Sequence, residues 1–192
     1  IQPARLEHEQ QAMINIIKRY NGPDAVFIAD RGYESYNLMA HVIESNQYFL
    51  IRTKDVHSAG GICSGLKNKR LIPVSDVFDT WITLEFTRKQ TNQVKQNPQR
   101  FRFVSSEKRF DYLPTDNKSI TYKMRFRLLR FPISEDSYEC IVTNLPDEFT
   151  VDEIKKIYHM RWGIETSFRE LKYVEGLVNI HSRKMDFILQ EI

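Results

Sequence analysis

The hydrophobic positions in the first quarter of the chain alternate between helical and strand patterns. Residues 6–20 carry apolar side chains at the three- and four-residue intervals of an amphipathic helix, and the turn-forming residues 21–24 end it. Residues 25–29 are a short apolar run typical of a buried strand. Residues 35–46 predict a second helix, and residues 48–52 a second strand. This order predicts a βαβ unit with a right-handed crossover and a parallel strand pair.

Between about residues 53 and 143 the pattern changes to alternating runs rich in β-branched and aromatic residues. The predicted strands are 71–74, 81–86, 101–104, 120–131 and 138–143. We expect residues 87–100 to form a long exposed loop or the tip of a β-ribbon, because they are polar and basic. Its cations Arg88, Lys89, Lys95 and Arg100 could contact a DNA backbone or simply be solvated.

Four polar residues share one face of a predicted helix near the end of the chain. Tyr158, Arg161, Glu165 and Lys172 are separated by three, four and seven residues. At roughly 100° per residue they occupy a stripe about 60° wide. An apolar stripe adjoins it, so these side chains can be held firmly while they line a cleft. The alternative is a solvated helix face, on which an Arg161–Glu165 pair contributes only about 0.2–0.5 kcal/mol.

The composition of the chain limits the class of protein but does not indicate a particular ligand. The chain has 192 residues and a formal net charge of +3, from 28 basic and 25 acidic residues. This excess is too small to demonstrate nucleic-acid binding. We expect a soluble intracellular chain, because the sequence contains no apolar run of 18 residues and no signal-peptide pattern. The two cysteines lack the spacing of a zinc site.

Asp30 directly follows the first predicted strand and precedes a glycine turn. In open α/β sheets, ligands bind outside the carboxyl ends of the strands. A carboxylate there suits Mg²⁺, which takes one or two carboxylates together with water and phosphate oxygens. The alternative is ordinary turn chemistry, since Asp and Gly are common in turns.

These motifs resemble those of one family, the bacterial insertion-sequence DDE transposases, in the branch named for its Y-R-E-K motif. The resemblance is carried by Tyr158, Arg161-Trp162-Gly163-Ile164-Glu165, Lys172, Asn144-Leu145-Pro146 and Asp30-Arg31-Gly32-Tyr33. It implies an α/β fold with an RNase H-like core that is incomplete at its N-terminal strands. Residues 1–52 would be the first part of this core and residues 53–143 an all-β insertion. Residues 144–192 would carry the catalytic helix and the start of the next one.

The resemblance also implies the site. Asp30 matches the second aspartate of the family and Glu165 its glutamate; together with a first aspartate they hold two divalent ions, Mg²⁺ or Mn²⁺. That first aspartate lies on a strand upstream of residue 1, so we expect an inactive fragment of a longer enzyme. Tyr158, Arg161 and Lys172 would bind DNA near the scissile phosphate. Trp81 is a candidate for stacking on a base, although a tryptophan in the core of a strand is the usual alternative.

The expected function is that of a cut-and-paste DNA transposase catalytic domain. It would cleave and join double-stranded DNA at transposon ends and target sites, as a homodimer on DNA, in the bacterial cytoplasm near the nucleoid. No membrane partner is expected. Two alternatives remain open: a catalytically inactive transposase-derived module for DNA binding or dimerisation, and an unrelated RNase H-like nuclease.

Overall fold

The computed structural model describes residues 9–66, 70–161 and 163. The chain forms two compact units, Ile1–Val151 and Asp152–Ile192. In chain order the elements are α1 (Glu9–Arg19), β1 (Val26–Ala29), a 3₁₀ turn (Arg31–Tyr33), α2 (Tyr36–Glu44), β2 (Tyr48–Thr53), β3 (Phe78–Thr87), α3 (Asn92–Gln96), β4 (Phe101–Phe103), β5 (Thr121–Ser134), β6 (Ser137–Thr143) and α4 (Val151–His159).

The predicted βαβ unit is confirmed. Strands β1 and β2 are parallel, with Val26 opposite Tyr48 and Ala29 opposite Ile51. The connecting helix α2 is strongly apolar along one side, and its Leu38, Met39 and Val42 are at most 1% exposed. Burying each of these side chains contributes about 1.5–3 kcal/mol, which is sufficient to hold the crossover helix in place.

All six strands belong to one mixed sheet, in the order β1-β2-β6-β5-β3-β4. Strand β6 runs antiparallel to β2, with Leu50 opposite Thr143, and β5 and β3 continue the antiparallel pairing. The predicted β-rich segment therefore extends the sheet that the βαβ unit begins. The result is a mixed α/β fold consistent with an RNase H-like transposase core. The boundaries proposed at residues 52 and 143 stay a prediction.

Alternation along β3 explains which face of the sheet is buried. Ile82, Leu84 and Phe86 are at most 1% exposed, whereas Thr83 between them is exposed. The Phe86 ring stacks on Phe110 with 5.2 Å between centroids. This packing joins the sheet to the segment 105–113, which follows β4.

Two predictions for the β-rich segment are wrong. Residues 71–74 form no strand, because Arg70 has a φ of 54° and Pro73 has no N–H to donate to a ladder. Residues 87–100 are not a uniformly exposed loop. They contain α3, which Thr91 caps by accepting a hydrogen bond from the Val94 N–H at 3.3 Å.

Candidate active site

Asp30 lies where the sequence placed it, immediately after β1 at the carboxyl end of a parallel strand. Its Oδ1 accepts a hydrogen bond from the Gly32 N–H at 2.9 Å, which caps the 3₁₀ turn. The side chain is exposed, and Oδ2 accepts no hydrogen bond from the residues that the structure describes. Turn chemistry thus occupies one carboxylate oxygen and leaves the other open to a ligand.

The turn after β1 is tied to α1, and two carboxylates act on its Tyr33. Gln10 Nε2 donates a hydrogen bond to the Gly32 carbonyl at 3.0 Å. Burial raises the pKa of Tyr33, and the negative charges of Glu9 and Asp30 raise it further. Sequence periodicity gave no reason to single out Glu9, because an acidic residue in the first turn of a helix usually only favours the helix dipole.

A second carboxylate, Asp55, follows β2 closely, but it is engaged in structural contacts. Its Oδ2 accepts from Arg130 Nε at 2.9 Å and its Oδ1 from the His57 N–H at 2.8 Å. Burial favours the neutral form, but these hydrogen bonds outweigh it and lower the pKa of Asp55. Across residues 9–66, 70–161 and 163, no three His, Cys, Asp or Glu side chains are grouped so that they could hold a metal.

Of the four residues in the predicted helical stripe, the structure describes two. Helix α4 ends at His159 and contains Tyr158, which is 2% exposed. The Arg161 guanidinium lies 5.6 Å from the centroid of the Tyr158 ring, so the three-residue spacing does bring the pair together. A phenol buried in this way is suited to positioning Arg161. Glu165 and Lys172 lie outside the described residues, and the convergence of Asp30 with Glu165 stays a prediction.

Trp81 lies on β3 and is partly exposed, outside the buried core. Its Nε1 donates to Asp147 Oδ1 at 2.7 Å, and the Arg125 guanidinium lies 4.1 Å from the ring centroid. Neither Asp147 nor Arg125 is close to Trp81 in sequence, so no local pattern could have revealed this arrangement. The role of Trp81 in stacking on a base stays a prediction.

The basic residues expected on the 87–100 loop have different surroundings. Arg88 is only 6% exposed and donates to backbone carbonyls, among them those of Leu113 at 2.7 Å and Ser105 at 2.6 Å. Arg100 is exposed but pairs with Glu85 through two hydrogen bonds of 2.9 and 3.1 Å. The expectation that Arg88 either contacts DNA or is solvated is therefore wrong, because its guanidinium is buried and already bonded inside the fold.

A family of known proteins matches almost the whole sequence. The family model described as "Transposase DDE domain" matches residues 3–192, while a search of curated proteins finds no match. Among the described helices, none combines the length and the apolar character needed to cross a membrane. A transposase acts on DNA, so the family implies DNA as the partner of this chain. With Asp30 at the carboxyl end of β1 and a family match over 190 of 192 residues (3 to 192 inclusive), the chain belongs to the transposase DDE domains.

Proposed function

We propose that the chain supplies part of the active site of a cut-and-paste DNA transposase of the Y-R-E-K branch, encoded by a bacterial insertion sequence. The observation that carries this proposal is the Asp30 carboxylate, which is exposed at the carboxyl end of the parallel strand β1 with one oxygen free of hydrogen bonds from the described residues. The family match over residues 3–192 supplies the reaction class.

The Asp30 site fits a hard divalent cation, because it offers an exposed carboxylate oxygen. Asp30 and Glu165 would hold Mg²⁺ or Mn²⁺, and two ions would be bound in the complete enzyme. When bound, the ions supply activation of the attacking oxygen and charge stabilisation at the leaving oxygen.

The side chains of the helical stripe act on the DNA strand. Arg161 offers a guanidinium fork, and Lys172 a point charge, for non-bridging phosphate oxygens. Tyr158 orients Arg161 through the contact between their ring and guanidinium groups. Trp81, with one polar edge held by Asp147, offers an aromatic surface on which a base could stack.

The reaction proceeds by successive displacements at phosphorus. Water attacks a phosphodiester at the transposon end, and the bond to the 3′ oxygen breaks, which leaves a 3′-OH and a 5′-phosphate. The 3′-OH then attacks the opposite strand, which forms a hairpin and releases the flanking DNA. The hairpin is reopened by water before the 3′-OH joins target DNA. The complete enzyme works as a homodimer on DNA in the bacterial nucleoid.

The charge at Asp30 provides a direct test in the intact transposase. We expect Asp30→Asn to reduce strand cleavage at least about 100-fold, equivalent to ~2.7 kcal/mol, because it removes a metal-binding charge from the reaction site. Asp24→Asn is the matched control, since Asp24 is an exposed aspartate at the opposite end of β1. Cleavage of end-labelled transposon DNA and Mn²⁺ binding followed by electron paramagnetic resonance are the two measurements.

Equal cleavage by Asp30→Asn and Asp24→Asn would refute the metal-binding role of Asp30. A wild-type enzyme that binds transposon ends tightly but cleaves none of them in Mg²⁺ or Mn²⁺ would instead identify the chain as a DNA-binding module.

A further inference from the structure

A cleft of about 570 Å³ lies between the start of α2 and the segment that follows β4. Its walls are residues 34–37, 61–62, 102–104 and 108–110, and we name it the β4 cleft. All of these residues belong to the first compact unit, and Asp30 is not among them. Asp30 therefore does not line the cleft, although Glu34, which does, lies at the other end of the same 3₁₀ turn.

Cations outnumber carboxylates in the walls of the β4 cleft. Arg102, Lys108 and Arg109 line it, against the single carboxylate of Glu34. Arg109 is already neutralised by Asp111, through hydrogen bonds of 2.8 and 2.9 Å. Among the described residues, no carboxylate lies within ion-pair distance of Arg102 or Lys108. Arg102 and Lys108 therefore form no ion pair with a described residue, and cations remain in excess in the described walls of the cleft.

The carboxylate of Glu34 offsets only part of the positive charge in the walls, and its position is fixed by two contacts. Its Oε2 accepts a hydrogen bond from the Lys54 N–H at 2.9 Å, which fixes it against the end of β2. The Glu34 carboxylate also lies close to Gly61, where even an added Cβ would be only 2.9 Å from Oε1. Glu34 is held at the side of the cleft by these contacts and has a structural role there.

Arg102 is held in place by its aromatic neighbour. Its guanidinium lies 5.8 Å from the centroid of the Tyr36 ring. Tyr36 is itself fixed, because its hydroxyl donates to the Ile62 carbonyl at 2.8 Å and its ring contacts Phe86 at 4.7 Å between centroids. A partly buried guanidinium held in this way is preorganised to bind an anion, so less side-chain entropy is lost on binding.

The type of anion follows from the donors and from an exposed ring at the cleft. A guanidinium fork and a nearby ammonium group match the non-bridging oxygens of a phosphate. Phe103 also lines the cleft and is 41% exposed, on the edge strand of the sheet. An apolar ring next to phosphate-binding cations suits a phosphate that carries a sugar and a base.

We propose that the β4 cleft binds a phosphodiester of the DNA strand through Arg102 and Lys108, with Phe103 against the adjoining nucleoside. This inference rests on the proposed function, because it takes DNA as the substrate. It adds a DNA contact on β4 and the segment after it, distinct from the one assigned to Arg161 and Lys172.

The test measures DNA affinity as a function of salt concentration, for the intact transposase in EDTA so that no cleavage occurs. For Lys108→Gln we expect several-fold weaker binding of a transposon-end duplex. The slope of log Kd against log salt should fall by about 0.9, the value for one phosphate contact on duplex DNA. Arg102→Gln should add a similar loss. Lys18→Gln is the control, because Lys18 is an exposed lysine on α1 outside the cleft.

A Lys108→Gln slope equal to that of Lys18→Gln would overturn the proposal. Lys108 is exposed, so its substitution tests the cleft even if Arg102→Gln fails to fold. Failure of the proposed function can be told apart from failure of the cleft proposal. If the proposed function is wrong, Asp30→Asn leaves DNA cleavage unchanged, whereas the salt slopes of the Lys108 and Arg102 variants still show whether the cleft binds DNA. If the wild-type enzyme binds no DNA, the cleft is tested as an anion site by titrating inorganic phosphate and measuring the chemical shifts of the cleft side chains by NMR. A wild-type shift that Lys108→Gln abolishes supports an anion site, and no shift refutes it.

Discussion

Replacing Arg88 with methionine removes a buried charge that organises the segment after β4. The guanidinium donates to the carbonyls of Leu113 (2.7 Å), Ser105 (2.6 Å), Lys108 (3.2 Å from each of two nitrogens) and Phe110 (3.4 Å). Four carbonyls spread over nine residues of chain, 105 to 113, therefore converge on one side chain. Methionine preserves much of the apolar stem but can donate to none of them.

The expected loss follows from the two shortest of these bonds. A hydrogen bond from a charged donor contributes about 1.5–3 kcal/mol, and the contacts beyond 3 Å contribute less. Part of the loss is recovered, because removing a buried charge also removes its desolvation cost and because carbonyls near the surface can bind water. We expect Arg88→Met to lower the free energy of unfolding by about 3 kcal/mol.

Equilibrium unfolding in urea, followed by far-UV circular dichroism, measures this difference. Lys89→Met is the matched control, because Lys89 is the exposed neighbour and should change stability by no more than about 0.5 kcal/mol. Arg88→Lys keeps the positive charge but lacks the several N–H donors of a guanidinium. Its free energy of unfolding should lie between those of the wild type and Arg88→Met. If Arg88→Met were as stable as Lys89→Met, the reasoning from convergent carbonyls would be refuted. Hydrogen exchange should also increase selectively across residues 105–113 in Arg88→Met.

Two further predictions concern acid stability and a glycine turn. The Arg109 guanidinium, aided by His41, lowers the pKa of Asp111, so its stabilising contribution is present at neutral pH and is lost as pH falls below about 3.9. The free energy of unfolding of Asp111→Asn should therefore depend less on pH than that of the wild type below about pH 4, and parallel curves would contradict this. Gly61→Ala should lose more stability in urea than Gly65→Ala, by about 1 kcal/mol, because both glycines have positive φ (79° and 81°) but only at Gly61 does an added Cβ meet the Glu34 carboxylate. Equal losses would show that the close contact has no energetic consequence.

Much of the fold could be predicted because the signals are local. The βαβ unit follows from apolar periodicity within residues 6–52, and the alternation along β3 places Ile82, Leu84 and Phe86 on the buried face. The position of Asp30 after β1 was predicted in the same way, from a strand that ends at a glycine turn. Such patterns succeed because a strand or helix buries whichever face its own sequence makes apolar.

Other features could not be predicted, either because of the backbone conformation at one residue or because of partners that are distant in sequence. The run at 71–74 is apolar enough for a strand, yet the backbone at Arg70 and the missing N–H of Pro73 prevent pairing. The surroundings of Trp81 depend on Asp147, which is 66 residues away. Arg88 looked like a DNA-contacting cation because composition does not reveal which carbonyls will surround a guanidinium.

The sequence by itself determined the local elements, the carboxylate at the end of β1 and the family to which the chain belongs. Only the tertiary structure decided that β6 lies between β2 and β5, that Arg88 is buried and that Arg102 and Lys108 line one cleft without an ion-pair partner among the described residues. The physical reason is that periodicity records which face of an element avoids water. The pairing of strands and the compensation of charges are set by contacts across the fold, whose favourable energy must exceed the entropy of closing long loops.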